Sequence, residues 1–247
     1  MLWKTMPAFA VAASLVATVF GANAEGYSEL FRECYQGDVA DKVIAACSSI
    51  IKDPKGDKHD LAIAYKNRGD AYDDKAEYEL ALKDYDQALV ITPDNAELFN
   101  SRGATRTALW QFELAIEDFD RAHELAPRKA TTLSNRCFAE AANGKLEQAL
   151  ADCNAALELH PRRLATFASR AFVFLKLRRV DDAIADYTKV LSKRPDDPYS
   201  LYGRAAARRM KGDLRGSEND VLRAQSSHPD IAAHMARLGV RLADFDN

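Results

Sequence analysis

An all-α solenoid of stacked antiparallel helix pairs is the fold class predicted by the sequence, and three ladders of residues predict it. Pro93, Pro127, Pro161, Pro195 and Pro229 stand 34 residues apart. Arg68, Arg102, Arg136, Arg170 and Arg204 repeat at the same interval, as do Asp84, Asp118, Asp152, Asp186 and Asp220. Three ladders in one register are beyond chance, and 34 residues is the length of two helices with their turns. One such pair leaves an apolar face in water, so stability has to come from stacking.

The first 24 residues differ from the rest. MLWKTM carries one Lys, PAFAVAASLVATVF is continuously apolar, and the stretch ends in Ala22-Asn23-Ala24. This is the layout of a secretory signal peptide, residues 1–24, cut before Glu25. The alternative is an uncleaved anchor, because Thr5 to Ala24 carries no charge and is long enough to span a bilayer. No Cys follows the expected cut, so no lipid anchor is indicated. Membrane attachment is expected only if the segment stays uncleaved, and the expected location is periplasmic or secreted.

Residues 25–61 read as a degenerate helical cap. CYQGDVADKVIAACSSIIKDP, residues 34–54, resembles the second helix of a repeat, displaced from the 34-residue frame by the insertion KGDKHD. Five copies follow, at 62–95, 96–129, 130–163, 164–197 and 198–231. Each closing proline stops the second helix from running into the next copy. After the last copy, IAAHMARLGVRLADF places Met235, Leu238, Leu242 and Phe245 on one helical face, so residues 232–247 are expected to form a capping helix over the last seam.

Within the copies, counted from Ala62, Ala96, Ala130, Leu164 and Pro198, position 8 holds Gly69, Gly103, Cys137, Ala171 and Ala205. Position 20 is Ala81, Ala115, Ala149, Ala183 and Ser217, and position 24 is Tyr85, Phe119, Cys153, Tyr187 and Val221. On this pattern the chain resembles the tetratricopeptide repeat family along residues 62–231. The resemblance implies a right-handed superhelix whose concave wall, lined by the first helix of each copy, binds protein partners. Carried over position by position, it offers Lys66, Asn100, Phe138, Phe172, Leu175, Tyr199, Tyr202 and Arg209 as groove residues. Phe138 and Phe172 are equally readable as packing between neighbouring first helices. The clamp that some family members use for chaperone C-termini is not matched, since Asp70, Ser101 and Thr131 stand where Asn, Asn and Lys are needed.

Position 7, where the family pattern prefers Leu, is Arg in all five copies, with Asp sixteen residues later. The antiparallel hairpin brings the two within reach, so the ladders Arg68/Asp84, Arg102/Asp118, Arg136/Asp152, Arg170/Asp186 and Arg204/Asp220 are expected to be structural ion pairs. The four cysteines form the pairs Cys34/Cys47 and Cys137/Cys153, which are disulfide candidates in an exported chain.

Little points to chemistry. The histidines His59, His123, His160, His228 and His234 lack metal-ligand spacing, and there is no nucleophile elbow, phosphate loop or dinucleotide fingerprint. Bases are interspersed with acids, 34 against 37, which is a solvated surface and not a nucleic-acid stripe. The expectation is an exported, non-catalytic interaction scaffold with no cofactor or metal. An envelope-attached assembly factor, or a non-catalytic accessory subunit of an envelope enzyme, is the alternative.

Overall fold

The computed structural model describes residues 29–53 and 57–245, and the expected signal segment lies outside them. Among the described residues every regular element is helical. The chain divides into two compact units, Met1–Asp94 and Asn95–Asn247.

In the first unit, α1 (residues 29–36), α2 (Ala40–Lys52), α3 (Lys58–Asp74) and α4 (Tyr78–Ile91) pack in sequence order, α2 on α3 and α3 on α4. The α1–α2 pair lies within the stretch 25–61, and the few core residues of α2 (Val43, Ala46, Cys47, Ile50) are joined to α1 by the Cys34–Cys47 disulfide, with Cα atoms 4.9 Å apart. Helix α3 begins four residues before Ala62, because Asp57 caps it by accepting from the His59 N–H at 2.8 Å.

The second unit holds α5 (Ala96–Ala108), α6 (Phe112–Leu125), α7 (Ala130–Ala142), α8 (Leu146–Leu159), α9 (Leu164–Lys176), α10 (Val180–Leu191), α11 (Pro198–Met210), α12 (Leu214–Ser227), α13 (Ile231–Arg237) and a 3-10 turn at Leu242–Phe245. First helices start at 96, 130, 164 and 198, and second helices at 112, 146, 180 and 214, so the backbone keeps the 34-residue period of the prolines. First helices also pack on one another, α7 on α9 and α9 on α11, which makes them one wall.

Small residues at position 8 set the spacing within a pair. A Cβ on Gly69 would stand 2.8 Å from the Tyr85 ring, and one on Gly103 would stand 2.8 Å from Phe119. In the third copy Cys137 and Cys153, at the same two positions, are disulfide-bonded, with Cα atoms 5.5 Å apart. The covalent link thus replaces a glycine–aromatic contact.

Each hairpin turns through a residue in the left-handed region: Ala76, Trp110, Gly144, Arg178 and Gly212, again 34 apart. At the second copy the Trp110 N–H donates to the Thr107 carbonyl and the Gln111 N–H to the Arg106 carbonyl, which satisfies two end carbonyls of α5. Glycine adopts this conformation without cost, whereas Trp110 at φ 63° is strained.

The C-terminal segment departs from the expected single helix over 232–247. Helix α13 stops at Arg237, since Gly239 takes φ 78° and the Val240 N–H closes onto the Met235 carbonyl at 2.9 Å. The remainder folds back, and both α13 and the 3-10 turn pack on α11. Ile231, Met235, Leu238 and Val240 are buried, while Leu242 and Phe245 are only partly covered.

Candidate functional site

The Arg and Asp ladders form the seam between the helices of each pair. In every copy the arginine forks onto the aspartate: Arg68 Nε and Nη2 reach Asp84 at 2.7 and 2.8 Å, and Arg204 reaches Asp220 at 2.8 and 2.8 Å. Arg102–Asp118, Arg136–Asp152 and Arg170–Asp186 repeat the geometry, with closest contacts of 2.6, 2.5 and 2.7 Å. The aspartates are buried or nearly so, and such a fork leaves few of their lone pairs unmet. The Asp84 hydrogen bond holds Arg68 above its ordinary pKa, and Asp152 does the same for Arg136.

Sequence reasoning missed a third member of this seam. In four of the five copies the remaining Nη1 of the arginine donates backward to the preceding second helix: Arg68 to Ser48 at 2.9 Å, Arg136 to Asp120 at 2.7 Å, Arg170 to Asn154 at 2.9 Å and Arg204 to Thr188 at 3.3 Å. The arginines therefore tie a copy to its neighbour as well as pairing within it. Asp120, Asn154 and Thr188 are themselves 34 apart, but their identities change, so the ladder is legible only as a shared ability to accept.

The candidate groove residues scatter. In the first unit Lys66 pairs with Asp70 at 2.9 Å. In the second unit Asn100 accepts from Asn135 Nδ2 at 3.3 Å, Arg209 is partly buried, Phe138 is partly buried, and Tyr199 is 41% exposed. Phe172, Leu175 and Tyr202 depart from the expected exposed wall, at 4%, 2% and 3% exposure. Phe172 and Leu175 lie on α9, which packs between α7 and α11, and Tyr202 lies on α11, on which α9, α13 and the 3-10 turn pack. Phe172 lies against Phe138 with ring centroids 5.8 Å apart, and Lys176 spans it at 5.4 Å while donating to the Ala141 carbonyl at 3.0 Å. That burial lowers the Lys176 pKa.

What the wall does present is an apolar cavity of about 280 Å³, lined on one side by Phe138, Ala168, Phe172, Tyr199 and Ser200 and on the other by Met235 and Leu238 of the C-terminal segment. Ser200 Oγ is buried and has no hydrogen-bond partner among the described residues. A second recess, framed by Ala104, Thr107, Trp110, Phe138 and Leu238, extends the surface toward the α5–α6 hairpin. Phe138, Phe172 and Tyr199 give this concave surface three aromatic side chains and few polar groups. No cluster of three metal-ligating side chains occurs among the described residues, and no helix there is long and apolar enough to cross a membrane.

Comparison with known proteins supplies the family. A family model for the TPR repeat matches residues 69–109, and one for the tetratricopeptide repeat matches residues 170–230. The curated proteins contain no match. Among solved structures, MamA 41-end from Desulfovibrio magneticus RS-1 is 19% identical with a TM-score of 0.59, over 70% of this chain and 97% of that one. TTC0263, a thermophilic TPR protein in Thermus thermophilus, is 22% identical with a TM-score of 0.58, over 74% and 98%. YrrB, described as a TPR protein with an unusual peptide-binding site, is 19% identical with a TM-score of 0.54, over 79% and 97%. Identities this low show a shared fold. With helix pairs repeating every 34 residues and family models matching near both ends of the array, the chain belongs to the tetratricopeptide repeat family.

Proposed function

We propose that the chain is an exported interaction scaffold whose second unit takes a peptide or helical segment of a protein partner on the wall of first helices. The observation that carries this reading is the apolar cavity between Phe138, Phe172 and Tyr199, where a partner's side chain would be desolvated. The resemblance to YrrB, a protein with a peptide-binding site, supports the same use of the fold. Two disulfides support an oxidising compartment, periplasmic or extracellular, in keeping with the signal-like first 24 residues. Neither nucleic acid nor a cofactor enters this reading.

The test is a mild-crosslinking capture from the cell envelope with wild-type chain and with a Phe138→Glu, Tyr199→Glu variant. Both positions retain solvent contact, so a charge there perturbs the wall with less damage to the core than at Phe172. Loss of one captured protein by the variant is the expected result. Equal capture by both chains would remove the wall as the binding surface.

A further inference from the structure

The C-terminal segment runs along the same wall and offers it a graded set of contacts. Met235 and Leu238 close the cavity opposite Phe138 and Phe172. The Arg237 guanidinium lies 3.7 Å from the centre of the Trp110 ring, and the His234 ring lies 4.9 Å from Trp110 and 5.1 Å from Tyr199. Further on, Phe245 meets Arg178 at 6.0 Å. The segment thus touches the last first helix, α11, and also the hairpin between α5 and α6, which a lid over the final seam alone would not reach.

Two features show that the contact is specific yet incomplete. Trp110 occupies the left-handed hairpin position that every copy shares, and there the indole is met by both Arg237 and His234. Against this, Met235 and Leu238 leave the cavity of about 280 Å³ between themselves and the wall, and Ser200 Oγ beneath it has no hydrogen-bond partner among the described residues. A longer or bulkier apolar side chain would fill that space better than Met or Leu.

We infer that residues 231–245 are a built-in stand-in for the ligand of this wall. The partner is then a short amphipathic helical segment with bulky apolar side chains at i and i+3 and an arginine at i+2, which displaces them. This rests on the reading of the wall as the binding surface. The pattern is read from the segment itself, in which Met235, Arg237 and Leu238 stand at i, i+2 and i+3. A guanidinium on an indole face and two apolar side chains in the adjoining recess are the chemistry that the wall recognises. An occupant tethered to the chain lowers the apparent affinity for any outside segment, because it is present at high effective concentration.

The experiment measures binding of a fluorescein-labelled peptide spanning residues 229–245 to the full chain by anisotropy. Wild type is compared with Leu238→Asp, which weakens the tethered segment, and with Leu238→Asp combined with Phe138→Glu. Arg237→Glu, at an exposed position, is a second variant that loosens the segment should Leu238→Asp fail to fold, as judged by circular dichroism. The expected result is binding at least tenfold tighter to the loosened chain than to wild type, abolished by Phe138→Glu. Equal binding by wild type and both loosened variants overturns the inference, as does tighter binding that survives Phe138→Glu. If envelope capture depends on Phe138 while loosening changes nothing, the wall remains the binding surface and only the stand-in role falls.

Discussion

Replacing Glu140 by Gln is expected to stabilise the protein at alkaline pH and to do nothing at low pH. Glu140 lies on α7 at position 11 of its copy, where the second and fifth copies have Arg106 and Arg208. Those arginines reinforce the seam, each reaching the local aspartate at 2.8 Å. The third copy instead brings a carboxyl, 7% exposed, toward Asp152, and its Oε2 is buried without a hydrogen-bond partner among the described residues. Burial, then the charge of Asp152, push its pKa to about 7, against an opposing pull from Arg136. The folded pKa thus lies above the unfolded value near 4.5. Below 4.5 the group is neutral in both states and costs nothing, and stability is lost as pH rises through about 7.

At about 1.4 kcal/mol per pH unit, that separation bounds the penalty at about 3 kcal/mol. Screening by solvent at a hairpin end reduces the expectation to about 1–2 kcal/mol. For a chain of this size that corresponds to a gain of roughly 3–6 °C in Tm at pH 8.5. The assay is thermal unfolding followed by circular dichroism at pH 8.5 and at pH 4.5. Glu140→Arg, which restores the pattern of Arg106 and Arg208, should gain at least as much at pH 8.5. A Glu140→Gln gain that is equal at both pH values, or absent at pH 8.5, would refute the reasoning.

Three further outcomes follow from the same geometry. Arg136→Ala, which strands Asp152 and releases Asp120, should cost about 1–4 kcal/mol in urea unfolding, against less than about 1 kcal/mol for the exposed Arg32→Ala. Intact mass after alkylation without reductant should show all four cysteines protected, and the Cys137→Ala, Cys153→Ala double variant should lose roughly 3 kcal/mol. His234 is held below its ordinary pKa by burial and then by His228 and Arg237, with Tyr199 the facing group on α11. Its seating is therefore present at pH above about 6.5 and lost as pH falls below that value. In a Trp3→Phe background, Trp110 emission should change between pH 7.5 and pH 5, and His234→Phe should abolish the change.

Where one residue type recurs in register, the sequence was enough. The prolines, arginines and aspartates each solve the same problem in every copy, and the Arg–Asp pairing could be drawn before any coordinate was known. Ala76, Trp110, Gly144, Arg178 and Gly212 share a backbone conformation but no side-chain type, so their ladder was invisible. Leu175 and Tyr202 were misplaced because register says which way a side chain points and not how closely neighbouring elements pack, α7 and α11 on α9 and the C-terminal segment on α11. The C-terminal helix was drawn too long although Gly239 stood in the sequence as a helix stop. The apolar period of Met235, Leu238, Leu242 and Phe245 outweighed it, while in the fold a left-handed glycine turns the chain back onto α11.

The central claim, that a protein segment binds on the wall around Phe138, is tested most directly by placing a photoreactive benzoyl-phenylalanine at that position and irradiating the chain in its native envelope. A second chain carries it at Leu222, which is 67% exposed on α12, away from the first-helix wall. A discrete protein adduct at position 138 and none at position 222 is the predicted result. An adduct at 222 with none at 138 would contradict the account and move recognition to the second helices.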